Sequence, residues 1–180
     1  EVKLRAEAAP MTSLEFFKPS FMSLSLPHPL WTSAGSSPSK VAMATVQAKM
    51  LSGRYRTQAL CSHQQKDGKK CKLSPDCNSD EDITHILKFC ISLEQTREKL
   101  LNFTRSYCND HQIISSNALK LCNIDITEFC QFLLDCSVIP EVIKLFQQHG
   151  DIIHTHLFNL TRTWCYSLHR DRLKILGRWK

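Results

Sequence analysis

Toward its end the chain places Ile153, His156, Leu157, Leu160, Trp164 and Leu168 at i, i+3, i+4, i+7, i+11 and i+15. That spacing lines one face of an α-helix. The interval recurs at Ile83, Ile86, Leu87 and Cys90, again at Ile126, Phe129, Cys130, Leu133 and Cys136, and at Met43, Val46 and Met50. Nowhere do apolar and polar residues alternate with the period of a strand. The expectation is an all-α fold: an irregular proline-rich start, a small knuckle-like loop, then several helices ending in a long one.

Punctuation residues divide the chain. Pro10, Pro19, Pro27, Pro29 and Pro38 crowd residues 1–39, and proline keeps itself and its predecessor out of helix. This segment is expected to be irregular or extended, with Phe16, Phe17, Phe21, Leu30 and Trp31 packing on something. Residues 40–60 read as a basic helix and turn, capped by Ser39 and stopped at Gly53. Residues 61–104 read as a knuckle followed by a helix that Asp80 caps, with Glu81 and Asp82 complementing its dipole. Residues 105–180 read as a helical module. Within it Asp125 and Glu128 form a capping pair, Pro140 opens a helix that stops at Gly150, and Asp151 caps the longest one.

Charge is unevenly spread. The net formal charge is +6. Residues 40–72 hold eight basic residues (Lys40, Lys49, Arg54, Arg56, Lys66, Lys69, Lys70, Lys72) against Asp67, residues 73–141 are acidic, and 162–180 are basic again. Two basic blocks around an acidic middle suit a polyanionic partner; ordinary solvated faces are the competing explanation. The chain has nine cysteines, an odd number with no secretory signal, which favours reduced or metal-bound thiols in an intracellular, nuclear or cytoplasmic setting. No apolar run is long enough to span a membrane. The first residue is Glu1 rather than Met, so the chain reads as a piece of something longer.

The pattern richest in chemistry is Cys71, Cys77, His85 and Cys90, spaced C-x5-C-x7-H-x4-C. Zinc takes four thiolate or imidazole donors tetrahedrally, and a loop supplying two thiolates before a helix start supplying His and Cys reaches that geometry. Ser74-Pro75-Asp76 offers a turn between the first two cysteines, and Lys66, Lys69, Lys70 and Lys72 are expected to help keep the thiols ionised. Two features count against it. The first spacing is longer than the usual two to four. Residues five apart on a regular helix point about 140° apart, so His85 and Cys90 converge only where the helix distorts. Cys61 and His63 are alternative donors. The plainer explanation makes Cys90 a core residue and His85 a half-buried polar one. Cys122, Cys130, Cys136 and Cys165 lack ligand spacing. His154 and His156 face different directions on one helix, so with His149 they make a poor second metal site. Arg54, Tyr55 and Arg56 combine charge with a stacking ring suited to single strands, and Lys66, Lys69, Lys70 and Lys72 suit phosphates; the alternative is a packed Tyr55 among solvated lysines.

The run Val46-Gln47-Ala48-Lys49-Met50-Leu51-Ser52-Gly53-Arg54-Tyr55-Arg56-Thr57, then Leu60-Cys61-Ser62-His63 and Lys66-Asp67-Gly68, resembles the tail that follows the reverse transcriptase domain in animal non-LTR retrotransposons. Pro27-His28-Pro29-Leu30-Trp31 and Leu160-Thr161-Arg162-Thr163-Trp164-Cys165-Tyr166-Ser167-Leu168-His169-Arg170 resemble it too, so the likeness covers nearly the whole chain. It implies that Cys71, Cys77, His85 and Cys90 stand where that family has its CCHC zinc motif, though x5 departs from the commonest form. It implies one Zn2+ and a role in holding RNA or DNA, single-stranded or at a target site. The polymerase core of the same polyprotein becomes a second partner.

Catalysis is not expected of this chain alone. A polymerase of that type needs adjacent aspartates to hold two metal ions, and the sequence has no Asp-Asp pair. No nuclease-like carboxylate cluster stands out, because Asp80-Glu81-Asp82 reads as a helix start. Two other readings lack nucleic-acid binding: a helical structural or interaction module, and a decayed retroelement relic.

Overall fold

The computed structural model describes Phe16 and residues 27–61, 68–110 and 125–178. The described residues form an all-α protein with no strand, only one isolated antiparallel bridge, Lys70 to Asp80. The helices are α1 (Pro29–Thr32), α2 (Pro38–Leu51), α3 (Gln58–Cys61), α4 (Glu94–Asp110), α5 (Ile126–Leu134), α6 (Pro140–His149) and α7 (Asp151–Ile175). A π-helical turn spans His85–Phe89, and 3-10 turns span Ile91–Leu93 and Cys136–Val138. Among the described residues, no helix is long and apolar enough to cross a membrane.

Helix α7 is the axis of the packing. It has 25 residues, a length of ~37 Å, and it touches α1, α2, α4, α5, α6 and every π or 3-10 turn. Ile153, Leu157, Leu160, Trp164 and Leu168 are buried, as their spacing predicts, while His156 is only half-buried. The buried apolar residues of all these elements form one cluster running from Leu30 to Leu168.

Local chemistry explains most element ends. Asp125 accepts from Thr127 N–H at 3.2 Å and starts α5. Pro140 occupies the first turn of α6, where its missing N–H costs nothing. Gly150 closes α6 with φ +69°, a conformation that favours glycine. Helix α2 ends in a Schellman arrangement around Gly53, in which Arg54 N–H donates to Lys49 O and Gly53 N–H to Met50 O.

Several expectations need correction. The segment 1–39 is not wholly irregular: His28 accepts from Leu30 N–H and starts the one-turn α1, whose Leu30 enters the core while Trp31 is exposed. Pro10, Pro19, Phe17 and Phe21 lie outside the described residues. Helix α2 is preceded by Ser37 rather than Ser39, since Pro38 fits the first helical position. Its buried face carries Ala44, Gln47, Met50 and Leu51, with Met43 and Val46 half-buried. Gln47 can enter the core because its amide donates to Leu133 O, Leu134 O and Thr161 Oγ1 at 2.7–3.2 Å. Ile126 is exposed although its stripe partners are buried. Gly150, not Asp151, holds the cap position of α7. The continuous helix expected from Asp80 to about 104 is broken into a π turn, a 3-10 turn and α4.

The facing of α7 is testable by neighbouring truncations. Leu157→Ala removes a side chain that is 1% exposed and is expected to cost about 2–5 kcal/mol. Ile152→Ala, at a position 47% exposed, is expected to stay within about 0.5 kcal/mol. Urea unfolding followed by circular dichroism reads both.

Candidate metal centre

The loop before α4 is closed by backbone bonds. Cys71 N–H donates to Ser79 O, Glu81 N–H to Lys69 O, and Cys77 N–H to Ser74 O, at 2.9–3.2 Å. Ser74 Oγ also accepts from Asp76 N–H, completing the turn. Lys70 Nζ ties the two sides together by donating to Asn78 O and pairing with Asp80. Asp80 therefore belongs to the loop closure, and Asp82 does the capping, with its carboxylate accepting from His85 N–H at 2.7 Å.

The helix distortion that the spacing demands is present. Cys90 N–H donates to His85 O at 2.8 Å, an i to i+5 bond that defines a π turn. It brings His85 and Cys90 onto one side, facing the loop cysteines. The donor atoms of Cys71, Cys77, His85 and Cys90 all lie within 4.8 Å of one another, and all four residues are buried.

Two distances fit a tetrahedral ion. Cys71 Sγ and Cys90 Sγ are 3.8 Å apart, and Cys77 Sγ and His85 Nε2 are 3.4 Å apart. Metal–sulfur bonds of about 2.3 Å and metal–nitrogen bonds of about 2.0–2.1 Å imply roughly 3.8 and 3.6 Å between such donors. A disulfide needs about 2.05 Å, so these thiols are placed as separate donors. This cluster can hold a metal ion.

Burial sets the protonation of these side chains. It pushes the Cys71 thiol up to about 12 and Cys90 upward, and it pushes His85 down. The expected lysine assistance to the thiolates is thus overridden: Lys69, Lys70 and Lys72 are exposed, and burial dominates Cys71. A metal ion binding here displaces thiol protons. Arg97 supplies nearby buried positive charge, since its guanidinium donates to Cys90 O and pairs with Glu94.

A second buried pair fastens the loop to the helical body. Glu81 is fully buried and its carboxylate binds Arg172 of α7 and Gln58 N–H. Arg172 also donates to Arg56 O and lies 5.5 Å from the Tyr55 ring centroid. Glu81 is therefore no dipole-complementing residue of a first turn. Tyr55 is 5% exposed, bonded through its hydroxyl to His169, and its burial pushes that phenol up to about 12. Packing is the role the structure gives it, and base stacking on this ring would require it to leave the core.

Arg54, Arg56, Lys69, Lys70 and Lys72 are exposed. Lys66 and His63 lie outside the described residues, as does Cys122. Cys61 is half-buried and not among the four clustered donors. His154 stacks on Phe146 with centroids 4.3 Å apart, and His156 bonds the Tyr107 hydroxyl. Glu81, Arg97 and Arg172 escape a reading of local spacing. Arg97 and Arg172 carry one signal, a charge on an apolar stripe: Arg97 with Leu93 and Leu100, and Arg172 with Cys165 and Leu168.

Comparison with known proteins finds no matching family model, no matching curated protein and no matching solved structure.

The Glu81–Arg172 pair makes a sharp prediction. Arg172→Met leaves Glu81 buried without its counter-charge and is expected to cost about 3–5 kcal/mol. The double variant Glu81→Leu, Arg172→Met is expected to recover most of that loss. A double variant destabilised by the sum of the two single-variant losses in urea unfolding would show that the pair is not coupled.

Proposed function

We propose that this chain is a zinc-organised, non-catalytic module that holds RNA or DNA for the polymerase core of a retroelement polyprotein. The carrying observation is the buried quartet Cys71, Cys77, His85 and Cys90. Three sulfur donors and one imidazole, closed by protein and tetrahedrally spaced, suit zinc in a structural rather than catalytic site. Zinc bound here would cross-link the loop to the π turn and add its binding energy to folding.

The nucleic-acid part of the reading is supported by charge at the surface of that loop. Lys69, Lys70 and Lys72 surround Cys71, and Arg54 and Arg56 extend from the turn that packs beside Glu81. Such residues bind phosphates without reading bases. The family resemblance of the sequence points the same way, and the missing Asp-Asp pair leaves chemistry to another part of the polyprotein.

A second reading has its own observation. Phe89 is 49% and Ile91 66% exposed, on either side of buried Cys90. Two exposed apolar residues beside a rigid knuckle suit a protein contact, in which case the module is structural.

Salt dependence separates the two. Binding of a single-stranded oligonucleotide, read by fluorescence anisotropy, is expected to weaken steeply between ~0.05 and ~0.2 M salt. The triple variant Lys69→Gln, Lys70→Gln, Lys72→Gln is expected to flatten the log–log slope by about 2, at about 0.7 per single-strand phosphate contact. Affinity no better than that of a charge-matched control would overturn the nucleic-acid reading and favour the protein contact.

A further inference from the structure

A small pocket opens beside the metal cluster, between the π turn and helices α4, α5 and α7. Lys88, Glu94, Arg97, Leu101, Phe129 and Trp164 line it, and its volume is about 160 Å³. Whole small-molecule ligands usually need about 300–1,000 Å³, so this space suits one functional group of a larger molecule.

Its polar chemistry is cationic and incompletely satisfied. Arg97 is 5% exposed, and its Nη1 is buried with no hydrogen-bond partner among the described residues. A guanidinium nitrogen in that position is costly unless something accepts from it. Lys88 Nζ lies 4.7 Å from the Phe129 ring centroid, so the ammonium is held at the pocket by its attraction to the ring face. Glu94 is the one carboxylate in the lining. It pairs with the other terminal nitrogen of Arg97 from a side chain that is 62% exposed, and so can swing into solvent. Phe129 and Trp164, edge to face at 5.8 Å, supply an apolar wall.

We propose that this pocket takes one phosphate group of a nucleic-acid strand. Lys88 and Arg97 donate to the phosphate oxygens, the aromatic wall packs against the attached sugar, and Glu94 competes as an internal anion. Two cations around one oxyanion, one of them a planar guanidinium, match phosphate recognition. The strand as the source of the phosphate rests on the nucleic-acid reading above; the anion site itself does not. Arg97 also holds the Cys90 carbonyl, so Lys88 and Glu94 are the positions to vary.

The test uses the full metal-loaded chain and two probes, inorganic phosphate and single-stranded dodecathymidylate. The indole N–H resonance of Trp164, which donates to Thr104 Oγ1 at 2.8 Å, reports occupancy of the pocket. Both probes are expected to shift it. Lys88→Gln is expected to weaken strand binding about tenfold, the scale of one charge-assisted contact. Glu94→Gln is expected to strengthen it about two- to fivefold, the scale of an exposed ion pair. A strand that binds wild type and Lys88→Gln equally, with Trp164 unmoved, would overturn the pocket and leave the nucleic-acid reading standing. Phosphate that shifts Trp164 through Lys88 while the strand does not bind would overturn the strand as source and retain an anion site for free phosphate. Silence with both probes would overturn the site and, if the strand also fails to bind elsewhere, the nucleic-acid reading with it.

Discussion

The hydrogen bond from Cys90 N–H to the His85 carbonyl is the constraint on which the candidate metal centre depends. In an α-helix, residues five apart diverge by about 140°, and His85 and Cys90 cannot serve one ion. Widening a single turn brings them together. The widened turn is supported from below by Ile86 and Leu87, both fully buried. Its end is fixed by the Cys90 carbonyl, which accepts from Leu93 N–H and from Arg97. The same carbonyl thus ends the π turn, anchors the 3-10 turn and receives the guanidinium from α4. A π turn at a functional position is common for this reason: it re-aims one side chain without breaking the chain's helical path.

The loop that supplies Cys71 and Cys77 carries few apolar residues of its own. What joins it to the helical body is polar. Glu81 enters the interior directly after the Lys70–Asp80 bridge and meets Arg172, Gln58 N–H and, through Arg172, the Arg56 carbonyl and Tyr55. Charges buried this way are expensive unless fully paired. Pairing with Arg172 offsets part of that cost, while Glu81 Oε2 and Arg172 Nε are buried with no hydrogen-bond partner among the described residues. The loop that carries two of the four candidate donors is thus fastened to α7 by an ion pair.

The parts of this fold that depend on neighbours in sequence were readable beforehand. The apolar face of α7, the start at Pro140, the stop at Gly150 and the Asp125 cap all follow from spacing and local chemistry. The cysteine and histidine quartet was visible too, together with the distortion it required. What escaped depends on partners far along the chain. Glu81 meets Arg172 across 91 residues, and Gln47 reaches Leu133 and Thr161 across 86 and 114. Without those partners, Glu81 resembles an ordinary acidic residue at a helix start, and Gln47 a solvent-facing one. Tyr55 runs in the opposite direction. Flanked by arginines, it fits a stacking ring or a packed one, and the cation it meets is the buried Arg172.

The claim at the centre of this account is that the four donors bind one zinc ion as a unit. Elemental analysis of the purified full chain, beside the double variant Cys77→Ser, His85→Ala, tests it most directly. The account predicts about one zinc per chain in the wild type, lost in the variant. Wild-type chain purified and refolded in the presence of zinc yet carrying none, or a variant that retains it, would contradict the account and reduce the quartet to packed, unliganded side chains.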